Sequence, residues 1–431
     1  RDLHLSIRRQ SQMCIRDRRL VVSESVVRDF TVCAIDVKKA FLKGVTYEEL
    51  AEMTGEPERN VNFELTQECV EILRKVPGYE TFNPANEILH CVKPGTGCKD
   101  APRCFTLKLA TATQAAFGAR TTTSDPQLLV RHDSRKQLDY IGAEHVDDIL
   151  SGATMAVLKT FITALESVFG KGELDITFDN FKCCGVNHVK LDDGYAMDRD
   201  EYVKGLRLIQ NADVTGKALD AEADSTNASL FLSLLMALAY ALVTRCDVAV
   251  FVVALQRIAK SPTYGHIKKL NTIVRWAQKH PLKLVYRKLQ CLRTLEGHTD
   301  TGFRREEDTE GNCEGRSARG ANFFRLGQIT CTNDKSTTRV HLIDSVCGMT
   351  KQVVRSTFTS EGHGVLSTMD QGLTLVVTFH EILNGPVNRE ELRLCTDQAG
   401  MDFALDVITL SLIHISEPTR PRLISYAVFC L

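Results

Sequence analysis

The chain has no CxxC pair among its 15 cysteines. Structural zinc sites are built from such pairs at set spacing, so a zinc ribbon or finger is not indicated. Cys183, Cys184 and His188 stand close together without a second pair, and scattered reduced core thiols fit the pattern better. No secretory signal is visible, which fits an intracellular reducing compartment. No apolar run reaches the ~20 residues of a membrane span. The longest, Leu230 to Val243, has 14 residues and is followed by Thr244, Arg245, Cys246 and Asp247, so it reads as a buried helix with no membrane partner. There is no excess of positive charge: the formal net charge is −1 over 431 residues. That balance counts against a globally basic nucleic-acid binder, although phosphate contacts are local and a groove of Lys and Arg would still serve. No Ser-His or Cys-His motif has the context of a nucleophilic hydrolase.

What the chain does contain is two acidic motifs in a fixed order. Ala34 to Gly44, AIDVKKAFLKG, carries Asp36 near the end of a short buried strand, Val32 to Val37. His145 to Leu150, HVDDIL, carries Asp147 and Asp148 at the tip of a hairpin read over Leu138 to Ile149. Between them, Lys93 to Phe105, KPGTGCKDAPRCF, is a Gly-rich turn running into an apolar segment. A lone Asp-Asp pair is most often a solvated turn. Carboxylates from separate strands can instead hold two divalent cations that activate a hydroxyl and stabilise a leaving pyrophosphate.

These blocks resemble the reverse transcriptase of copia-type long-terminal-repeat retrotransposons, whose members read close to DVxxAFLxG, YGLKQAPRxW and YVDDxL. Asp36, Ala40, Phe41, Leu42 and Gly44 match the first block; Gly97, Lys99, Ala101, Pro102 and Arg103 the second; Val146, Asp147 and Asp148 the third. Thr96, Cys98, Asp100 and His145 depart from the pattern, and none of these departures removes a metal ligand. The stretch Thr244 to Pro281 matches the family's later segment at Arg245, Asp247, Pro262, His266 and Arg275, with Cys246 in place of Pro; read by residues alone it is two packed amphipathic helices.

Both ends resemble something else. Gln12 to Arg18, QMCIRDR, back-translates to CAG ATG TGT ATA AGA GAC AG, a transposase end used in sequencing libraries, and Arg8 to Gln10 fits the same oligonucleotide. Leu410 to Arg420 and Ile424 to Leu431 fit the opposite adapter. Residues 1–18 and 410–431 are therefore expected to be adapter-derived and are set aside from fold reasoning. Removing their seven basic and three acidic residues leaves a net of −5.

The expected class is α+β. Residues 19–210 would form a palm with partial fingers, 211–290 a helical connection, and 291–409 a truncated ribonuclease H-like α/β domain. Helical periodicity or capping marks Tyr47 to Met53, Gln67 to Lys75 after Thr66, Thr106 to Ala119, Met155 to Phe169 and Tyr202 to Leu208. Phe178 to Leu191 reads as a return strand pair, and Ala212 to Asn227 as a linker. In the third part, Gly315 to Gly327 resembles the second ribonuclease H strand. Asp300, Glu361 in Val353 to Leu366, and Asp397 in Leu394 to Leu405 resemble three of the four carboxylates. Each of these is also readable as a surface acid.

The resemblance implies that Asp36 and Asp147 bind two Mg2+ (or Mn2+) ions beside Asp148, and that Asp300, Glu361 and Asp397 do so in the ribonuclease H part. It implies that Phe41, otherwise a core aromatic, rejects a ribose 2′-hydroxyl next to Ala40. Gly97, Lys99 and Arg103 would lie near nucleotide or template. The implied partners are an RNA template, a DNA primer, an RNA–DNA hybrid and deoxynucleotides, in a cytoplasmic particle or the nucleus. Oligomeric state is not legible. Roughly fifty family residues that would precede Asp36 have no counterpart, nor does a fourth ribonuclease H carboxylate, so the chain as given is expected to polymerise poorly. An inactive transposon relic or a domesticated nucleic-acid-binding protein is the alternative.

Overall fold

A computed structural model describes residues 2–210, 216–289, 294–307, 313–326, 339–349, 356–385 and 425–430. Helix α1 (Asp2–Val27) leads into strand β1 (Thr31–Val37) and a 3-10 turn at Ala40–Lys43. Next come α2 (Tyr47–Thr54), β2 (Asn62–Phe63), α3 (Gln67–Leu73) and β3 (Leu89–His90). Helix α2 starts where it does because Thr46 Oγ1 accepts from Glu49 N at 3.0 Å while Glu49 accepts from Thr46 N at 2.8 Å, a reciprocal cap. Thr66 Oγ1 caps α3 through Cys69 N at 3.4 Å, as the sequence predicts.

Helix α4 (Ala101–Ala110) begins five residues before the predicted start and continues as a π-helical turn over Thr111–Ala116. Pro102 in its first turn explains the early start, since a missing N–H costs nothing there. Then follow β4 (Arg120–Thr121), β5 (Leu128–His132), β6 (Leu138–His145), β7 (Asp148–Ala153), α5 (Met155–Phe169) and β8 (Leu174–Phe178). These strands form one antiparallel sheet in the order β4-β5-β6-β7-β1-β8. Strand β1 is an inner strand, between β7 and the edge strand β8, although it comes first in the chain.

Alternation along β1 divides the sheet's two faces. Cys33, Ile35 and Val37 meet α4 and α5 in one core, where Leu158, Phe161 and Leu165 recur at helical spacing. Val32 enters the other core, and Asp36 shares its face by period two. On that second face lie a four-stranded sheet and α1. The sheet has the order β12-β11-β10-β9, from β9 (Phe181–Cys183), β10 (Val186–Leu191), β11 (Gly194–Asp198) and, after the helices below, β12 (Leu284–Arg287).

Helix α6 (Asp200–Lys204) opens the helical part, which continues with α7 (Ser225–Tyr240), α8 (Ala249–Arg257) and α9 (Tyr264–Lys279) around a separate core of Phe231, Leu235, Val252, Ile267 and Leu270. With its 3-10 extension α7 runs Ser225–Val243, 19 residues with mean hydropathy 1.8, long and apolar enough to cross a membrane. It is longer than the 14-residue buried run read from sequence, because Ser225–Ser229 join the helix, and it is not buried all round: Leu230, Met236 and Tyr240 are exposed. The motif residues of this part have structural partners. Arg245 is buried, paired with Asp247 at 2.8 Å and donating to Ala277 O at 2.7 Å. His266 Nδ1 accepts from Thr263 N at 3.0 Å, at the start of α9.

The remaining elements are β13 (Thr294–Glu307), β14 (Cys313–Leu326), β15 (Val340–Met349), α10 (Thr357–Asn384) and β16 (Ser425–Cys430), with sheet order β15-β14-β13-β16. This part is not a separate body. Leu295, Phe323, Ile343 and Phe379 share one core with Val22, Leu128 and Leu150. Glu381 on α10 accepts from both the amide and the hydroxyl of Thr123 at 2.9 Å.

Helix α1 runs through the middle of that shared core. Gly152 on β7 permits the approach, since a Cβ there would meet Ser25 Oγ at 2.0 Å. The sequence boundary at Arg18 falls inside this helix, and Arg16, Asp17, Arg18 and Arg19 are between 0% and 7% exposed. Burying such charges costs several kcal/mol each unless they are well paired. Arg19 donates to Val243 O at 2.6 Å, whereas no N–H donates to either Asp17 oxygen, Arg16 Nε stays 3.9 Å away, and the side chain meets the carboxyl of Asp125. Burial, with Asp125 close by, pushes the Asp17 carboxyl well above the usual carboxylate range.

Candidate active site

Strand pairing gathers the carboxylates. Asp36 on β1 faces Asp148 on β7 and also faces Asp175 on β8. Facing residues of antiparallel neighbours share a side of the sheet with Cβ atoms roughly 4.5–5.5 Å apart. The three acids therefore form a row across the sheet. Asp147 joins them from the turn between β6 and β7, where Val37 N donates to Asp147 O at 3.4 Å. That turn forces Val146 to φ 59°, a left-handed conformation that a β-branched residue rarely adopts. Such strain persists only where the surroundings over-determine it, and it concentrates at functional turns.

The electrostatics agree with the geometry. Partial burial raises the Asp36 carboxyl above its ordinary pKa, and the charges of Asp147, Asp148 and Asp175 raise it further against the opposing Lys38. Lys38 Nζ lies 3.0 Å from Asp175. One Asp148 oxygen accepts from Cys184 N and from Cys184 Sγ, each at 3.2 Å. His145 precedes the pair, half-buried, its imidazole held below its usual range by burial and by Arg18. Crowded carboxylates facing one cation are a donor set suited to hard divalent cations such as magnesium, which prefer oxygen ligands.

Asp36, Asp147 and Asp148 are thus brought together as the sequence predicts. Asp175 was missed. Its only signal is the alternation in Leu174–Phe178, and nothing local says which strand that segment pairs with. The second block stands elsewhere. Gly97 turns the chain at φ 93° with open space where a Cβ would be, Lys99 is exposed, and Arg103 is held by both oxygens of Glu56 at 2.8 and 3.0 Å. Ala40 is buried and Phe41 half-buried against the core beneath β1, so the core role of Phe41 is realised in part.

Of the ribonuclease H carboxylates, Asp397 lies outside the described residues. Asp300 is exposed in the interior of β13 rather than after a strand. Thr301 receives a hydrogen bond from Ser360 of α10 at 3.0 Å, so alternation turns Asp300 to the sheet face away from that helix. Glu361 sits half-buried on α10 itself. The described part therefore does not bring Asp300 and Glu361 onto one face. No protein-family model matches the chain, and no curated protein is similar to it.

Proposed function

We propose that the chain is the reverse-transcriptase and ribonuclease H region of a copia-type retrotransposon, a template-directed nucleotidyl transferase. The observation carrying this reading is the row Asp148–Asp36–Asp175 with Asp147 in the strained turn beside it. Magnesium, or manganese in its place, would supply Lewis acidity to the attacking primer hydroxyl and the leaving pyrophosphate. Asp36 and Asp147 would hold the ions, with Asp148 adjacent. The exposed part of Phe41 would disfavour a ribose 2′-hydroxyl and so select deoxynucleotides. An RNA template, a DNA primer and their hybrid would approach the carboxylate row from its exposed Asp175 end, since the rest of that face is covered by α1 and the second sheet. For the third part, the reading is supported by an antiparallel β13–β15 meander followed by a helix packed on β13.

A non-catalytic, nucleic-acid-binding relic is the second reading, favoured by the engagement of Asp148 with Cys184. Manganese binding followed by electron paramagnetic resonance, together with primer extension on an RNA template, tests both. The expected outcome is manganese binding that Asp36→Asn and Asp147→Asn each weaken, with slow extension that Asp147→Asn abolishes. Binding without extension would support the relic. Absence of binding, or binding indifferent to both substitutions, would overturn the polymerase reading.

A further inference from the structure

Beside the carboxylate row is a second donor set. Strand β9 ends at Cys183 and β10 begins at Val186, and these two residues pair to close a hairpin. Its two-residue tip is Cys184 and Gly185, with φ of 47° and 73°. Positive φ at both central positions is the turn that matches strand twist, and the tip lies against β7, where Cys184 N donates to Asp148. The tip is pinned: Arg199 Nη2 donates to Cys184 O at 2.6 Å, and Tyr240 OH donates to the same oxygen at 3.4 Å. The Sγ atoms of Cys183 and Cys184 lie 3.9 Å apart, Cys184 Sγ is 3.2 Å from Asp148 Oδ2, and all three donors fall within 4.8 Å of one another.

Those separations are close to what one cation chemistry needs. A tetrahedral zinc ion with Zn–S of ~2.3 Å and Zn–O of ~2.1 Å needs S···S of about 3.8 Å and S···O of about 3.6 Å. The thiols are already at the first spacing, and the carboxylate needs to open by a few tenths of an ångström. Thiolates favour zinc-class ions over magnesium. Cys183 is buried, while Cys184 and Asp148 are half-buried and leave a side for entry. We propose that Asp148, Cys183 and Cys184 form a three-ligand site for a thiophilic divalent cation of the zinc class. Each thiol gives up its proton on binding, so two protons are released per ion. Because Asp148 also belongs to the carboxylate row, the ion would compete with magnesium there; this last step rests on the polymerase reading, and the binding itself does not.

The test uses the full chain under thiol-free reductant, with Cd2+ alone as the probe. Expected is a thiolate-to-metal charge-transfer band that saturates near one ion per chain and that Zn2+ removes. Cys184→Ser, at a half-exposed position, abolishes the band, Asp148→Asn weakens it, and Cys69→Ser, an exposed cysteine elsewhere, leaves it intact. A band unchanged in Cys184→Ser, or no band at all, overturns the site. Competition is read separately, as loss of bound-manganese signal on adding Zn2+. If Cd2+ binds as expected and manganese is unaffected, the site stands and the competition is refuted.

Discussion

At Glu144, two residues before the candidate turn, burial sets the charge state. The side chain is 9% exposed, one carboxylate oxygen lacks a hydrogen-bond partner, and burial lifts its pKa to about 7. The folded state therefore holds a proton that the unfolded state releases from its ordinary 4.5. Stability should fall as pH rises through the window from 4.5 to 7 and level off above it. Glu144→Gln should remove that slope, stabilising the chain at pH 8 by on the order of 3 kcal/mol while changing little at pH 4. Urea unfolding at both pH values decides it, and equal effects at the two would refute the assignment. At this scale much of the site was legible. Asp36, Asp147 and Asp148 announce themselves by motif, while Asp175 has no motif and is recruited only by register.

Among the elements, α5 is the one whose sequence and structure coincide end to end, Met155–Phe169. Its apolar stripe meets the sheet through a trio of rings. Phe161 lies 4.8 Å from Phe117 and 4.7 Å from Tyr140 between ring centroids, and Tyr140 hydrogen-bonds Ser151 at 3.0 Å. Phe161→Ala should cost about 3–5 kcal/mol by thermal or urea unfolding, because close-packed rings leave a cavity that cannot collapse. A loss under 1 kcal/mol would mean the stripe does not anchor the helix. Elements with a local signal, such as the capping box of α2 or the tight Asp-Asp turn between β6 and β7, could be read directly. The position of β1 between β7 and β8 could not, because pairing partners distant in sequence leave no local trace.

For the whole molecule, the least legible feature is α1. Its segment reads as charged, yet it occupies the centre of the shared core, and composition gives no hint that tertiary packing would place it there. The mismatch predicts a stabilising substitution: Asp17→Leu should raise unfolding free energy by about 1–3 kcal/mol at neutral pH, since it removes a buried carboxyl that no N–H satisfies and that crowds Asp125. Destabilisation instead would show that Arg16 depends on Asp17. Contacts cross the boundaries read at 210 and 290: β12 returns to pair with β11, and α10 meets β4 and β5.

The same helix sets a problem in time. Ser23 meets His341 at 2.8 Å across 318 positions of sequence. At ~5–20 residues per second of synthesis, α1 leaves the ribosome roughly a quarter of a minute to a minute before its partner strand exists. Over that interval Leu20, Val21, Val22 and Val26 have no finished core to enter. A chain with this architecture should depend on a chaperone that shields that helix during synthesis, and should refold from denaturant slowly and with losses that grow with concentration.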